Sequence, residues 1–146
     1  MALAAVVAVL GGQTVFRKVI DSDLGLAREV EAGFPSASLS HVLDGLNDSD
    51  LAQTDIYAVV GTARTLQRKR KAHLRLSRDE SDRLARLVRM IVRAEEALGS
   101  REKALRWIVK PNRALEGAHP LSVLGSDAGT LAVEQELGRI EHGVFA

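Results

Sequence analysis

At 146 residues, 46% of them apolar and 27% charged, the chain is long enough for one compact domain or two very small ones, and the absence of cysteine excludes disulfides and Cys-ligated metal centres. Five aromatic residues, Phe16, Phe34, Tyr57, Trp107 and Phe145, are too few for a platform on which bases stack. The net charge of +1 conceals a basic centre: residues 57–113 carry sixteen basic and six acidic side chains, a local charge of +10, between flanks of −7 (21–56) and −4 (114–146). Such a centre suits a phosphate backbone.

Alanine, leucine, arginine and glutamate are abundant and β-branched runs are few, so an all-α fold is expected. Met1 to Leu10 are almost wholly apolar, but no basic residue precedes them and the run is too short to span a bilayer. They are expected to form a first helix or a leader, and with no cysteine the chain reads as cytosolic and free of membrane contact. Ser22 is placed to cap a helix over Asp23 to Ala32 that Gly33 ends. Pro35 and Ser36 open the next, with Leu39, Val42, Leu43 and Leu46 at helical spacing, and the polar run from Asn47 to Asp50 breaks it. A helix through Ile56, Val59 and Val60 stops at Gly61, and Thr62 is a candidate N-cap for another over Ala63 to Lys71. Ser77 and Glu80 form a capping box at the head of the clearest helix in the chain. Its apolar stripe is Leu84, Leu87, Val88, Ile91 and Leu98, surrounded by Arg83, Arg86, Arg89 and Arg93. Gly99 ends it, Ser100 caps a helix holding Leu105, Trp107 and Ile108, and Pro111 stops that one. Residues 112–124, broken by Gly117 and Pro120, predict short helical turns. Ser126 caps a last helix to about His142, expected to bury Leu131, Leu137 and Ile140, and Gly143 closes it.

The two short helices joined at Gly61 have the form of a DNA-binding helix–turn–helix. At about 100° per residue, Arg64, Gln67, Arg68 and Lys71 share one face of the second helix, and Leu66 points the opposite way, toward Ile56, Val59 and Val60. A recognition helix needs that division: one face holds it on the first helix, the other presents long donors. Arginine pairs with guanine O6 and N7, and glutamine with adenine N6 and N7. Lys69 and Arg70 lie at the edges, better placed for phosphate. Between Arg64 and Arg75 there are six basic residues and no acid, so the stretch does not neutralise itself. The plainer reading is a solvated basic helix.

No catalytic or metal constellation stands out. His41, His73, His119 and His142 are far apart, and Asp48 and Asp50 lack the glycine and closing glutamate of a calcium loop. Gly11, Gly12, Gln13 and Thr14 lack the lysine of a phosphate-binding loop, and Glu95 and Glu96 point to different faces of a helix. Neither enzyme activity nor a metal or cofactor is expected.

Four stretches form a specific combination: Leu98-Gly-Ser-Arg-Glu-Lys-Ala-Leu-Arg-Trp107, Val109-Lys-Pro-Asn-Arg-Ala-Leu115, Pro120-Leu-Ser-Val-Leu124 and Gly138-Arg-Ile-Glu-His-Gly-Val-Phe-Ala146. They closely resemble the toxin-binding domain of the Xre/MbcA/ParS antitoxins, the partners of RES-domain toxins. Upstream, Arg64-Thr-Leu-Gln-Arg68 and Leu76-Ser-Arg-Asp-Glu-Ser-Asp-Arg-Leu84 resemble that family's Xre-like helix–turn–helix region, so the likeness covers about residues 36–146. The resemblance implies the antitoxin of a type II toxin–antitoxin pair, divided into a leader and helix (1–35), a helix–turn–helix DNA-binding domain (36–98) and a toxin-binding domain (99–146). It implies two partners. One is a RES-domain toxin encoded by the adjacent gene, which acts on NAD and whose active site the antitoxin occludes. The other is operator DNA of its own operon, repressed by a homodimer or by a larger complex with the toxin.

On this resemblance the DNA-facing candidates are Arg64, Thr65, Gln67, Arg68, Arg70 and Lys71, and the toxin-facing candidates are Trp107, Asn112, Arg139, Glu141, Val144, Phe145 and Ala146. By pattern alone Trp107 reads as a core residue and Asn112 as a helix cap. Val144 and Phe145 beyond Gly143 are either tucked onto the last helix or offered to a partner. With the resemblance, the tail is expected to enter the toxin's NAD cleft, with the Ala146 carboxylate or Glu141 at a phosphate position. The competing reading is a free-standing helix–turn–helix regulator whose C-terminal domain only oligomerises; a RES-type reading frame beside the gene separates the two.

Overall fold

The computed structural model describes residues 2–143. The regular structure among them is helical: α1 (Ala2–Leu10), α2 (Gly12–Phe16), α3 (Asp23–Ala32), α4 (Ser36–Gly45), α5 (Gln53–Val60), α6 (Ala63–Lys71), α7 (Arg78–Leu98), α8 (Arg101–Ile108) and α9 (Asp127–Glu141). Two 3-10 turns, Arg113–Leu115 and Pro120–Val123, lie between α8 and α9. No β-strand occurs among the described residues; one isolated antiparallel bridge joins Pro35 and Arg75. Nor is any of these helices long and apolar enough to cross a membrane.

The helix α7 is the scaffold. Its capping box is formed as expected: Ser77 Oγ accepts from the Glu80 amide at 3.1 Å, and Glu80 Oε1 accepts from the Ser77 amide at 2.7 Å. At 21 residues it is about 30 Å long, and α1, α3, α5, α8 and α9 all pack against it. Leu84, Leu87, Val88 and Ile91 are fully buried, as the stripe predicts, and its last member, Leu98, is half-buried at the end of the helix. Ala85, Met90, Val92 and Ala94 are buried as well, because neighbours cover more of the helix than one stripe.

The N-terminal run is part of this core. Val6, Val7 and Leu10 face inward, and α1 packs on α4 and α7. Helix ends leave carbonyls without partners. Here the Ser38 hydroxyl donates to Leu10 O (2.7 Å), and the His41 Nδ1 lies 3.0 Å from Val9 O. Helix α2 was not anticipated. Its anchor is Phe16, buried edge-on against Phe34 with ring centroids 5.2 Å apart.

Three expectations change in the structure. Leu131 is 54% exposed, and α9 instead buries Val133 and Leu137, with Ile140 only half-buried. The helix starts one residue past Ser126 and is pressed on the second 3-10 turn through Gly129, where a Cβ would sit 1.9 Å from Val123 O. That close approach, with the packing of α9 on α7, leaves Val133 and Leu137 on the inward face. Thr62 holds the N-cap position of α6 but makes no side-chain cap bond. Gly61 is extended (φ 176°), and a Cβ there would meet only ordinary contacts, so the turn between α5 and α6 does not demand glycine.

Candidate nucleic-acid interface

Helices α5 and α6 pack on each other through Ile56, Val60 and Leu66, all buried. The opposite face of α6 is open: Arg64, Gln67, Arg68 and Lys71 are exposed, and none of them forms an ion pair or side-chain hydrogen bond among the described residues. Thr65, at the edge of this face, is half-buried. The expected division between packing face and presenting face is therefore present.

Two of the basic residues at the edges do something else. Lys69 Nζ reaches Glu80 Oε1 at 2.6 Å, and both side chains are largely covered, 16% and 11% exposed. Arg70 donates from Nη1 to the Tyr57 hydroxyl (2.5 Å) and from Nε to Ser40 Oγ (2.8 Å). Lys69 and Arg70, read from the sequence as edge residues better placed for phosphate, are half-buried and hydrogen-bonded within the fold, where they fasten α6 to α4, α5 and α7. The sequence carried no signal for either, since the partners lie 11, 13 and 30 residues away.

Burial by itself would raise the Glu80 carboxyl. The Lys69 ammonium and the Ser77 amide outweigh it and hold the carboxyl below the usual carboxylate range. A carboxyl depressed on folding contributes stability above its unfolded pKa and loses it as pH falls through the folded one. Glu80→Gln is expected to lower stability by about 2–3 kcal/mol at neutral pH, through the lost ion pair and a weakened cap. Urea melts across pH check it: the gap between parent and variant closes on acidification, and a gap independent of pH would show that the Glu80 charge plays no part.

In the C-terminal half, Trp107 is half-buried and packed against the core. Asn112 caps the first 3-10 turn, its Oδ1 accepting from the Ala114 amide at 2.9 Å. Both follow the structural readings made from their pattern. Arg139 is exposed and paired with Glu136 on the same helix. Glu141 is bound in a fork by Arg93 of α7, at 3.0 and 2.9 Å. The Arg93 hydrogen bonds hold its carboxyl below the usual range. Among the described residues Glu141 is thus engaged with α7 and pins the end of α9 to the scaffold. Val144, Phe145 and Ala146 lie outside the described residues. No group of three or more His, Asp or Glu side chains is placed to hold a metal among the described residues.

An exposed cationic helix held on a short partner helix, with a second small helical unit following on a shared scaffold, defines a helix–turn–helix protein. Comparison with known families places it further. Residues 25–89 match the antitoxin Xre-like helix-turn-helix domain, and residues 93–143 match the antitoxin Xre/MbcA/ParS C-terminal toxin-binding domain. The chain is 33% identical over 129 residues to the antitoxin Xre of Photorhabdus laumondii, covering 78% of this chain and 87% of that protein. It is 38% identical over 85 residues to the antitoxin Xre of Yersinia enterocolitica, covering 58% of this chain and 57% of that one. A third relative, the antitoxin Xre of Pseudomonas putida, is 38% identical over 80 residues, 55% of this chain and 50% of that protein. The chain belongs to the Xre antitoxin family. The two matched segments meet within α7, between residues 89 and 93, so one helix serves both units.

Proposed function

We propose that this chain is a type II antitoxin that neutralises a RES-domain, NAD-consuming or ADP-ribosylating toxin from the adjacent gene and represses its own operon. The observation that carries the DNA half is the open face of α6, where Arg64, Gln67, Arg68 and Lys71 are presented without internal partners among the described residues. Residues 36–98 form the DNA-binding unit and residues 99–146 the toxin-binding unit, with 1–35 packed onto the first. A homodimer sets two α6 helices in successive major grooves, multiplying a modest single contact. The protein acts in the cytoplasm as a binding protein, with no reaction of its own.

Support for the toxin half is the match to the toxin-binding domain together with the way α9 ends. Arg93 clamps Glu141 two residues before Gly143, so α9 presents whatever follows it from a fixed point. Val144 and Phe145 are the apolar pair that follows. In this reading they fill a hollow of the toxin's NAD cleft, and Trp107 and Asn112 shape the surface around it. Co-expression with the adjacent gene product, read as rescue of growth, tests the whole proposal; growth arrest despite co-expression overturns it. Deleting residues 143–146 is expected to raise the concentration needed to stop NAD turnover by purified toxin about tenfold, the loss of one interface anchor. DNA binding by the truncated protein is expected to be unchanged. Full inhibition by the truncated protein would move the inhibitory surface to the region from Trp107 to Leu124.

A further inference from the structure

We propose that a cationic cleft beside the C-terminal end of α6, completed by the turn after α2, is a second seat for a DNA backbone phosphate. The proposal rests on the DNA-binding reading above and extends it to residues outside the matched helix–turn–helix segment, which begins at residue 25.

The cleft has a volume of about 390 Å³. It is lined by Thr14, Arg17 and Lys18 at the end of α2, by Ser36 at the start of α4, and by His73 and Arg75 just past α6. Glu29 is the one carboxylate in its lining among the described residues, and Lys18 already neutralises it at 3.2 Å. Arg17, His73 and Arg75 are exposed and no carboxylate pairs with them among the described residues; Arg75 donates from Nη1 to Gly33 O at 2.6 Å, which fixes its guanidinium at the cleft without cancelling its charge. The cleft therefore presents uncompensated positive charge.

Its walls are tied directly to the recognition helix. Ser36 Oγ donates to Lys69 O in the last turn of α6, at 3.2 Å. The Ser36 amide donates to Leu74 O (3.1 Å) and the Leu76 amide to Phe34 O (2.8 Å), which sets the segment after α6 against the start of α4. A recognition helix in a major groove is flanked by two sugar–phosphate backbones, which take most protein–DNA hydrogen bonds, so cations beside α6 are placed to meet phosphates.

An independent observation comes from the backbone. Arg17 and His73 have φ of +59° and +54°, in the left-handed region where glycine is the unstrained residue. Four non-glycine residues among those described lie there, and two of the four, Arg17 and His73, line this cleft. Arg17 ends α2 as its left-handed C-cap, a position glycine most often fills, so its side chain can be removed at no cost to the backbone.

The strain supplies the test. Arg17→Gly removes the charge and relieves the backbone, so its melting temperature is expected to equal or exceed the parent's. Binding is measured by fluorescence anisotropy over a series of KCl concentrations, with a duplex from the region upstream of its own gene and a scrambled duplex of the same length. Arg17→Gly is expected to weaken both duplexes equally, about eightfold at about 0.1 M salt, and to lower the salt slope by about one unit. Arg17→Lys is expected to restore the slope. Parent-like affinity and slope in Arg17→Gly would overturn the cleft proposal, as would a loss confined to the upstream duplex. A parent that binds neither duplex would overturn the DNA reading itself.

Discussion

Leu87→Asp and Ile91→Asp are each expected to abolish cooperative folding. Both side chains are fully buried in the middle of α7, the helix on which α1, α3, α5, α8 and α9 pack. Removing a core aliphatic side chain costs about 2–5 kcal/mol. Aspartate adds the cost of a buried carboxyl with no partner, which is several kcal/mol more. A domain of this size holds about 5–15 kcal/mol in all. Because α7 belongs to both matched segments, the loss is expected to take DNA binding and toxin neutralisation together rather than one alone. Circular dichroism and urea melts check it. Leu131→Asp is the internal control: the residue is exposed, so the change is expected to stay within about 0.5 kcal/mol of the parent. A cooperative, parent-like melt for Leu87→Asp or Ile91→Asp would refute the placement of α7.

Arg64→Ala and Arg68→Ala are each expected to weaken binding to the operator by about 1–3 kcal/mol, or roughly five- to a hundredfold, and more in combination. The two guanidinium groups sit one turn apart on the open face of α6, with Leu66 fully buried on the other side. Neither is used to hold the helix in place, so the variants are expected to melt as the parent does. Loss of a bidentate base contact falls on specific sites and leaves scrambled DNA nearly unaffected. Lys71→Ala is the contrast: as a phosphate contact it is expected to weaken both duplexes alike and to lower the salt slope by about one unit. Arg70→Ala is a different matter, since its guanidinium joins Tyr57 and Ser40. It is expected to lower stability first and DNA binding only through that. Toxin neutralisation is expected to persist in the Arg64, Arg68 and Lys71 variants. Parent-like operator binding in all three would place the recognition surface elsewhere.

Local signals in the chain determine most of its secondary structure. Ser22, Ser77, Ser100 and Ser126 each cap the helix they precede, and Gly33, Gly61 and Gly99 each stand at a C-cap. These are interactions between residues about three or four apart, so they are written in the sequence itself. The open face of α6 was legible for the same reason: helical periodicity separates Leu66 from Arg64, Gln67, Arg68 and Lys71 whatever surrounds them. Family membership was legible from the motifs downstream of Leu98.

Tertiary structure decided which cations are free. Lys69 and Arg70 look like their neighbours in the sequence, but Glu80, Tyr57 and Ser40 approach them only after α4, α5 and α7 have packed around α6. The Arg93–Glu141 fork spans 48 residues, and no local rule pairs its members. The inward face of α9 was settled in the same way, by its packing on α7 and on the turn that ends at Val123, with Val133 buried and Leu131 left in solvent. Periodicity states that a helix has an apolar face, but several such faces are compatible with a sequence as evenly apolar as that of α9. Packing against neighbouring elements selects one, just as long-range hydrogen bonds select which of six neighbouring cations stay without internal partners.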